Sequence, residues 1–401
     1  MKKLDFRFID FIPAISGLLG KIALVSSFAY VWAEELRISN AFFVFNNIRL
    51  ELIIVSIFTL IMLFIYPKAT PAGTLAPLVV MIPMMASYGV HPLMLSILVG
   101  LIGIIFIKTG IFSKLLNLSG LISKAGISLV FGISGVILSV NHLYDYFNGN
   151  LKAFLLILII LGLLTIYFLY IKKLWFMIPV SIIISFIVLS AYEPIFQDLN
   201  NYEALRFSPN YWWNDVWGIG YGMSFLNFFK ALPFAIFIII LWTVDTASIM
   251  TVHDSIPLCN VSLDVEASFV GVSLRNIIGG IMGGAQTASI WRSFLIPQFM
   301  VNRPMKNSVI IMCIMGLLIG IFPLPLRILT LPPLMWSVLI FGIFIPLIFA
   351  GLISLMKIKS KSSIIICLLA VIPGLIINSF ITYIVLVFYE KLKLRKEMRN
   401  N

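Results

Sequence analysis

Two short stretches decide how this sequence is interpreted: ATPAGTLAPLVVMIP at residues 69–83 and GGAQTASIWRSFLIP at residues 283–297. Each carries helix-breaking Pro or Gly near its start, contains an Ala-x-Thr sequence and ends in Ile-Pro. Each is also too short to cross a bilayer as a complete helix, which takes about 20 residues. Interrupted apolar segments at matching positions in the two halves of a membrane protein indicate a binding site between them.

The composition places both stretches inside a membrane protein. Of the 401 residues, 61% are hydrophobic and 11% are charged, and the mean hydropathy is +1.09. Apolar runs of roughly 18 to 25 residues recur along the chain, and each is long enough to cross hydrocarbon as a helix. We therefore predict an all-α polytopic membrane protein with a single transmembrane domain over residues 1–401.

The basic residues indicate how the chain is oriented. The formal net charge is +12, and the excess lies at the termini and in short loops, as expected when Lys and Arg are retained in the cytoplasm. This pattern predicts a multi-pass protein of the inner membrane with both termini cytoplasmic, and it argues against nucleic acid as a partner. On the other side, NYWWNDVW at residues 210–217 is predicted to form an aromatic belt, with a lid over an outer vestibule as the alternative.

About fourteen membrane segments are predicted, and segments 3 and 10 are the short ones. A repeat of seven segments starts its second copy on the opposite side of the membrane, so the two copies must be inverted. This gives a first repeat at residues 1–192, an extracytoplasmic loop at 193–230 and a second repeat at 231–401. The predicted segments cover residues 11–33, 47–66, 73–87, 90–107, 116–140, 152–171, 174–192, 231–252, 266–282, 287–300, 306–323, 332–355, 362–377 and 379–390.

Arg292 stands in the apolar second stretch and therefore needs a partner or a function there. A half-helix is predicted to start after Gly284, with Thr287 or Ser289 as its cap and Arg292 one to two turns further on. Its free N–H groups, together with the hydroxyls and the guanidinium, would form a binding site for an anion.

The first half of the chain supplies three more candidate substrate-binding residues. Gly73 and Thr74 would start the matching half-helix and direct a second positive dipole at the same place. Lys21 lies about ten residues into segment 1, and an ammonium reaches the membrane interface less easily from there. It is therefore a candidate to line the same cavity.

Asp245 is the candidate ion-coupling residue. It would lie about 21 Å along segment 8, where a carboxylate must be paired, protonated or bound to a cation, and H⁺ and Na⁺ are the ions considered. Ser248 shares its helix face. The alternative is a structural ion pair between Asp245 and Arg292, which would favour a neutral or zwitterionic substrate.

Segments 8 to 11 resemble the sulfate permease (SulP) group and, more distantly, the uracil/xanthine permeases. The resemblance rests on LWTVDTASIMTVHD at 241–254 and RNIIGGIMGGAQTASIWRSFLIPQ at 275–298, with similar small-residue segments in the first half. It implies seven plus seven inverted segments divided into a core domain and a gate domain. The chain is expected to represent a branch without the cytoplasmic regulatory domain that often follows SulP membrane domains. Ile249 stands where uracil permeases carry a His.

The predicted function is a secondary active transporter that moves a small anion across the inner membrane by alternating access, by H⁺ or Na⁺ symport or by exchange. A nucleobase-type permease and a passive anion channel on the same scaffold are the alternatives. No acid/base pair or metal-ligand spacing is legible, so an enzyme, a cofactor and a metal are not expected. The expected partners are the small-molecule substrate, the coupling ion and the lipid bilayer, and a homodimer is left open.

Overall fold

The structure, a computed structural model, describes residues 6–147, 150–192, 205–220, 222–322, 324–376 and 379–400. These residues form an almost entirely helical bundle. The α-helices are α1 Phe11–Glu35, α2 Phe43–Ile65, α3 Ile82–Ser87, α4 Pro92–Lys108, α5 Ile111–Leu116, α6 Leu121–Tyr146, α7 Leu151–Tyr170, α8 Met177–Tyr192, α9 Phe225–Ser255, α10 Val265–Ile281, α11 Arg292–Val301, α12 Met305–Ile321, α13 Leu324–Leu329, α14 Pro332–Leu339, α15 Ile345–Met356, α16 Lys361–Ile376 and α17 Ser379–Asn400.

Among the described residues, six helical stretches are long and apolar enough to cross a membrane. The side chains of α7 are largely exposed, for example Ile159 and Ile166, and so much apolar surface is favourable only against lipid. The chain is therefore a multi-pass membrane protein. Helix is present in every predicted segment, whereas fourteen crossings in two inverted repeats stay a prediction.

The helices pack in two groups that meet along α9. In the first group α4 lies on α10, α2 on α12 and α1 on α11; in the second α6 lies on α15, α16 and α17, and α8 lies on α14. Helix α9 contacts both α4 of the first group and α6 and α15 of the second. Gly100 lets the α4 and α10 backbones touch, because a Cβ at that position would overlap the Ser273 carbonyl oxygen.

The two stretches quoted first pair with each other in the first helix group. Residues 69–75 and 284–291 are extended and antiparallel, with a bridge between Ala72 and Ile290. The Gly73 N–H donates to the Ser289 carbonyl at 2.6 Å. We call residues 69–75 and 284–291 the paired segments. Pairing satisfies backbone groups that would otherwise be costly inside a membrane.

The short helices begin later than the sequence predicts. On the first side a 3-10 helix starts at Ala76 and leads into α3; on the second side α11 starts at Arg292. The prediction that a half-helix follows Gly284, capped by Thr287 or Ser289, is therefore wrong, and so is the start at Gly73 and Thr74. The backbone there pairs with the other segment instead of coiling.

The tryptophans of residues 210–217 are not a lipid-facing belt. Trp212, Trp213 and Trp217 are each at most 1% exposed. The indole N–H of Trp213 donates to the Ile281 carbonyl, and that of Trp217 donates to the Gly283 carbonyl, both at 2.9 Å. These side chains pack over the turn between α10 and the second paired segment. Residues 193–204 of the predicted extracytoplasmic loop lie outside the described residues.

A buried carboxylate from the last helix closes the start of α6. Glu390 accepts hydrogen bonds from the N–H groups of Gly120, Ile122 and Ser123, at 3.0, 2.6 and 3.2 Å. The Ser123 hydroxyl also donates to it at 2.6 Å. A negative charge at a helix N-terminus is favourable, so this contact holds α17 against α6.

We expect Glu390→Gln to lower the free energy of unfolding by about 1–3 kcal/mol, since it replaces a charged acceptor by a neutral amide. Thermal unfolding in detergent measures the loss. Glu34→Gln, at an exposed position near the end of α1, is the matched control and should stay within about 0.5 kcal/mol. Equal stability of the two variants would contradict the role given to Glu390.

Candidate functional site

Asp245 and Arg292 form an ion pair inside the helix bundle. Asp245 lies in α9, and its Oδ1 contacts Nη2 of Arg292, the first residue of α11. Its Oδ2 accepts a hydrogen bond from the Ser289 hydroxyl at 2.9 Å. The side chains of Asp245 and Arg292 are 4% and 11% exposed, so both charges are largely removed from solvent. This geometry is the Asp245–Arg292 ion pair that the sequence analysis gave as the alternative.

Two further side chains complete the surroundings of Arg292. The Ser248 Oγ lies 3.3 Å from Arg292 Nη2, because Ser248 follows Asp245 by three positions on the same helix face. The ring of Phe131, from α6 in the second helix group, lies 4.4 Å from the guanidinium carbon. Arg292 Nε has no hydrogen-bond partner among the described residues. The guanidinium therefore faces the boundary between the two helix groups and keeps a free donor.

A second buried cluster lies on the first helix group alone. Glu51 of α2 pairs with Lys21 of α1, at 2.7 Å between Nζ and Oε1, and with Arg275 of α10. The side-chain amide of Gln286 donates to Glu51, and the Thr74 hydroxyl donates to the amide oxygen of Gln286. Two cations thus surround one carboxylate, and all three charged side chains are at most 1% exposed.

The structure divides the predicted site residues between these two clusters. It brings Arg292, Ser289, Asp245 and Ser248 together. Lys21 and Thr74 belong instead to the cluster of Glu51.

Gly73 and Thr287 contribute backbone pairing rather than a cap. The Leu75 N–H donates to the Thr287 carbonyl at 3.1 Å. A Cβ at Gly73 would overlap the Cα of Trp291 and lie 2.8 Å from the Ile290 carbonyl oxygen. Only glycine allows the two backbones to approach so closely.

Sequence reasoning missed Glu51, Arg275 and Gln286. Glu51 and Arg275 each stand in an apolar helical stretch, and an ionisable residue there is a site candidate by default. That signal was present in the sequence. Nothing in the sequence indicated that Gln286 would join them, because its role depends on the pairing with residues 69–75.

Two cavities of the described residues lie away from the Asp245–Arg292 pair. One lies beside α2 and is lined by Thr59, Thr70 and Ala72 among others. The other opens at the end of α9, with Lys68 and His253 in its wall. Neither is lined by Asp245 or Arg292. Among the described residues no group of His, Cys, Asp and Glu has the arrangement of a metal site.

Among solved structures, 34 chains match this one. One is described as the transmembrane domain of a cyanobacterium bicarbonate transporter BicA, with a TM-score of 0.55 and 14% identity. The match covers 95% of this chain and 98% of that one. At this identity the likeness shows a shared fold, and it agrees with the transporter fold that the sequence resemblance implies. No curated protein matches the chain.

A family model matches nearly the whole sequence. It spans residues 1–395, and its description is a protein of unknown function, DUF3360. The chain therefore belongs to the DUF3360 family.

Proposed function

We propose that this protein is a secondary active transporter that carries a small anion across the membrane by alternating access. The observation that carries the proposal is Arg292, a cation at the start of a short helix inside the bundle, facing the boundary between the two helix groups. A binding group there can meet either side of the membrane when one helix group moves against the other. The fold shared with a bicarbonate transporter over nearly the full chain supports the same class of substrate.

The ion pair supplies a mechanism for coupling. While Asp245 is ionised it neutralises Arg292, and the site offers little to an anion. A proton or Na⁺ on Asp245 removes that counter-charge, so Arg292 and the hydroxyls of Ser248 and Ser289 can hold the substrate. The anion and the coupling cation then enter together, and the loaded site stays neutral, which lowers the cost of its burial.

Contacts between the helix groups indicate what must break during transport. Lys124 of α6 pairs with Asp254 of α9 at 3.2 Å, and the Lys357 ammonium donates to the Asp254 carbonyl at 3.2 Å. In the proposal, α1–α4 and α9–α12 are the core domain, and α6–α8 and α14–α17 are the gate domain. The two inverted repeats each contribute one paired segment to the core. The cycle takes place in the inner membrane with both termini cytoplasmic.

The observed ion pair also favours a second candidate, a zwitterionic substrate. Its carboxylate would bind Arg292 while its ammonium binds Asp245, so both charges of the pair are replaced at once. A nucleobase and passive anion conduction are the remaining alternatives, and the following experiment distinguishes them.

A thermal-shift panel on the purified protein tests the substrate class, because a ligand that binds the folded state raises its stability, by about 2.7 kcal/mol at 100 times its Kd. The panel contains bicarbonate, sulfate, small carboxylates, an amino acid and nucleobases, each at two pH values and with and without Na⁺. We expect a small anion to stabilise the protein, and more strongly when protons or Na⁺ neutralise Asp245. Saturable counterflow of that anion in proteoliposomes completes the test.

Each other outcome assigns another function. Stabilisation by a nucleobase alone contradicts the anion assignment. An amino acid that stabilises without added H⁺ or Na⁺ favours the zwitterion. Currents at channel rates in a bilayer exclude a carrier.

A further inference from the structure

The ammonium of Lys21 has the surroundings of a bound monovalent cation. Its Nζ lies 2.7 Å from Oε1 of Glu51, 2.9 Å from the Gly73 carbonyl oxygen and 3.2 Å from the Ala72 carbonyl oxygen. The centroid of the Trp291 ring lies 5.1 Å from Nζ. The Lys21 side chain is 0% exposed. A carboxylate, two carbonyls and an aromatic face are groups that bind cations in proteins.

The Lys21 amine has one oxygen acceptor for each N–H of an ammonium. An ammonium has three N–H donors, and each has one oxygen acceptor here. Ala72 and Gly73 are also bound on their other side, through the pairing with Ile290 and Ser289. Lys21 thus contacts the first paired segment, which is itself hydrogen-bonded to the second.

Lys21 is also connected to the Asp245–Arg292 pair, through residues of the second paired segment. Ser289, which pairs with Gly73 through its carbonyl, donates its hydroxyl to Asp245. Trp291, which faces Lys21, directly precedes Arg292 in the chain. The contacts of Lys21 are therefore linked, through the paired segments, to Ser289 and to the start of α11 at Arg292.

We propose that the Lys21 ammonium is a tethered occupant of a monovalent-cation site formed by Glu51 and the carbonyls of Ala72 and Gly73. The wild-type protein needs no dissolved cation at this position, because the side chain supplies one. Shortening Lys21 leaves the Glu51 carboxylate, which stays paired with Arg275 through its other oxygen, and both carbonyls facing a space of ammonium size. That space then binds an alkali cation or a small alkylammonium ion from solution. This inference concerns a site other than the proposed substrate site and holds whichever substrate is carried.

The test is cation-dependent stability of Lys21→Ala, measured by thermal unfolding in detergent with Na⁺, K⁺ or methylammonium and with a large organic cation as the reference. We expect Lys21→Ala to have a lower Tm than the wild type and to regain at least about 2 °C at saturating concentrations of one of the small cations. Neither the wild type nor Lys124→Ala, a partly exposed lysine, should respond. Lys21→Met fills the space without a charge and should be destabilised without rescue.

The carboxylate provides a second control. Adding Glu51→Gln to Lys21→Ala removes the charged ligand and should abolish the response. If Lys21→Ala cannot be purified in the reference salt, the yield of monodisperse protein after extraction in each cation is measured instead. A yield or a Tm that is the same in all cations overturns the proposal. Since neither readout involves transport, this result leaves the transporter assignment untouched, and failure of the substrate panel leaves the cation site untouched.

Discussion

Arg292→Gln should abolish substrate-dependent stabilisation and uptake, and the double variant Asp245→Asn/Arg292→Gln should regain stability without regaining transport. The single change leaves the Asp245 carboxylate buried without its counter-charge, which costs about 3–5 kcal/mol when a buried pair is broken. The double change leaves no unpaired charge, so much of that cost should vanish. The substrate still loses the only group of the pair that can bind an anion. Thermal unfolding and proteoliposome uptake, measured on the same samples, separate the two effects.

The exposed pair Lys124–Asp254 is the control for stability. Its side chains are 28% and 48% exposed, so Lys124→Gln should cost at most about 1 kcal/mol. A double variant of Asp245 and Arg292 that transports like the wild type would show that the buried pair is only structural. In that case the substrate must bind elsewhere.

Gly73→Ala should separate the paired segments and inactivate the protein. The new methyl group would overlap the Trp291 Cα and crowd the Ile290 carbonyl oxygen, and both are backbone atoms that cannot rotate away. Overpacking typically costs about 1–3 kcal/mol, and we expect the upper end here, since hydrogen bonds between the segments would also be lost. Transport should fall to background, because Ser289 lies on the displaced segment and Arg292 follows it directly in α11. Unfolding and counterflow measure both effects.

Gly162→Ala is the matched control. Gly162 lies within α7, a Cβ there meets no atom within 4 Å, and alanine is the better helix former by about 1 kcal/mol. This variant should be as stable as the wild type or more so, with unchanged transport. If Gly73→Ala behaved in the same way, close pairing of residues 69–75 with 284–291 would not be required for function.

The sequence indicates which charged residues lie in apolar segments more readily than it indicates how they are arranged. Asp245 and Arg292 were singled out because an ionisable group is costly in an apolar segment, and this reasoning considers one residue at a time. The same reasoning applies to Glu51 and Arg275. The sequence predicts that Lys21 lines the substrate cavity, whereas the structure places it against Glu51. One positive charge in a membrane segment does not indicate which of several carboxylates it meets.

The tryptophans of residues 210–217 were misassigned for a related reason. A cluster of tryptophans among polar residues is typical of a membrane interface. Only the contacts in the folded protein show that these tryptophans are buried against other parts of the chain. Trp213 and Trp217 donate to carbonyls at the end of α10 and in the turn that follows. A tryptophan that packs on a distant turn and a tryptophan that faces lipid can have the same neighbours in the sequence.

The sequence by itself determined that the chain is a multi-pass helical membrane protein with two interrupted segments. Hydrophobicity and helix breakers act locally, so a window of about 20 residues contains that information. Only the tertiary structure decided that residues 69–75 and 284–291 pair as antiparallel segments, that α11 starts at Arg292, and which carboxylate each cation meets. These outcomes depend on backbone hydrogen bonds between residues more than 200 positions apart and on charges that lie on different helices. Their cost inside a membrane is settled only when both partners are in place.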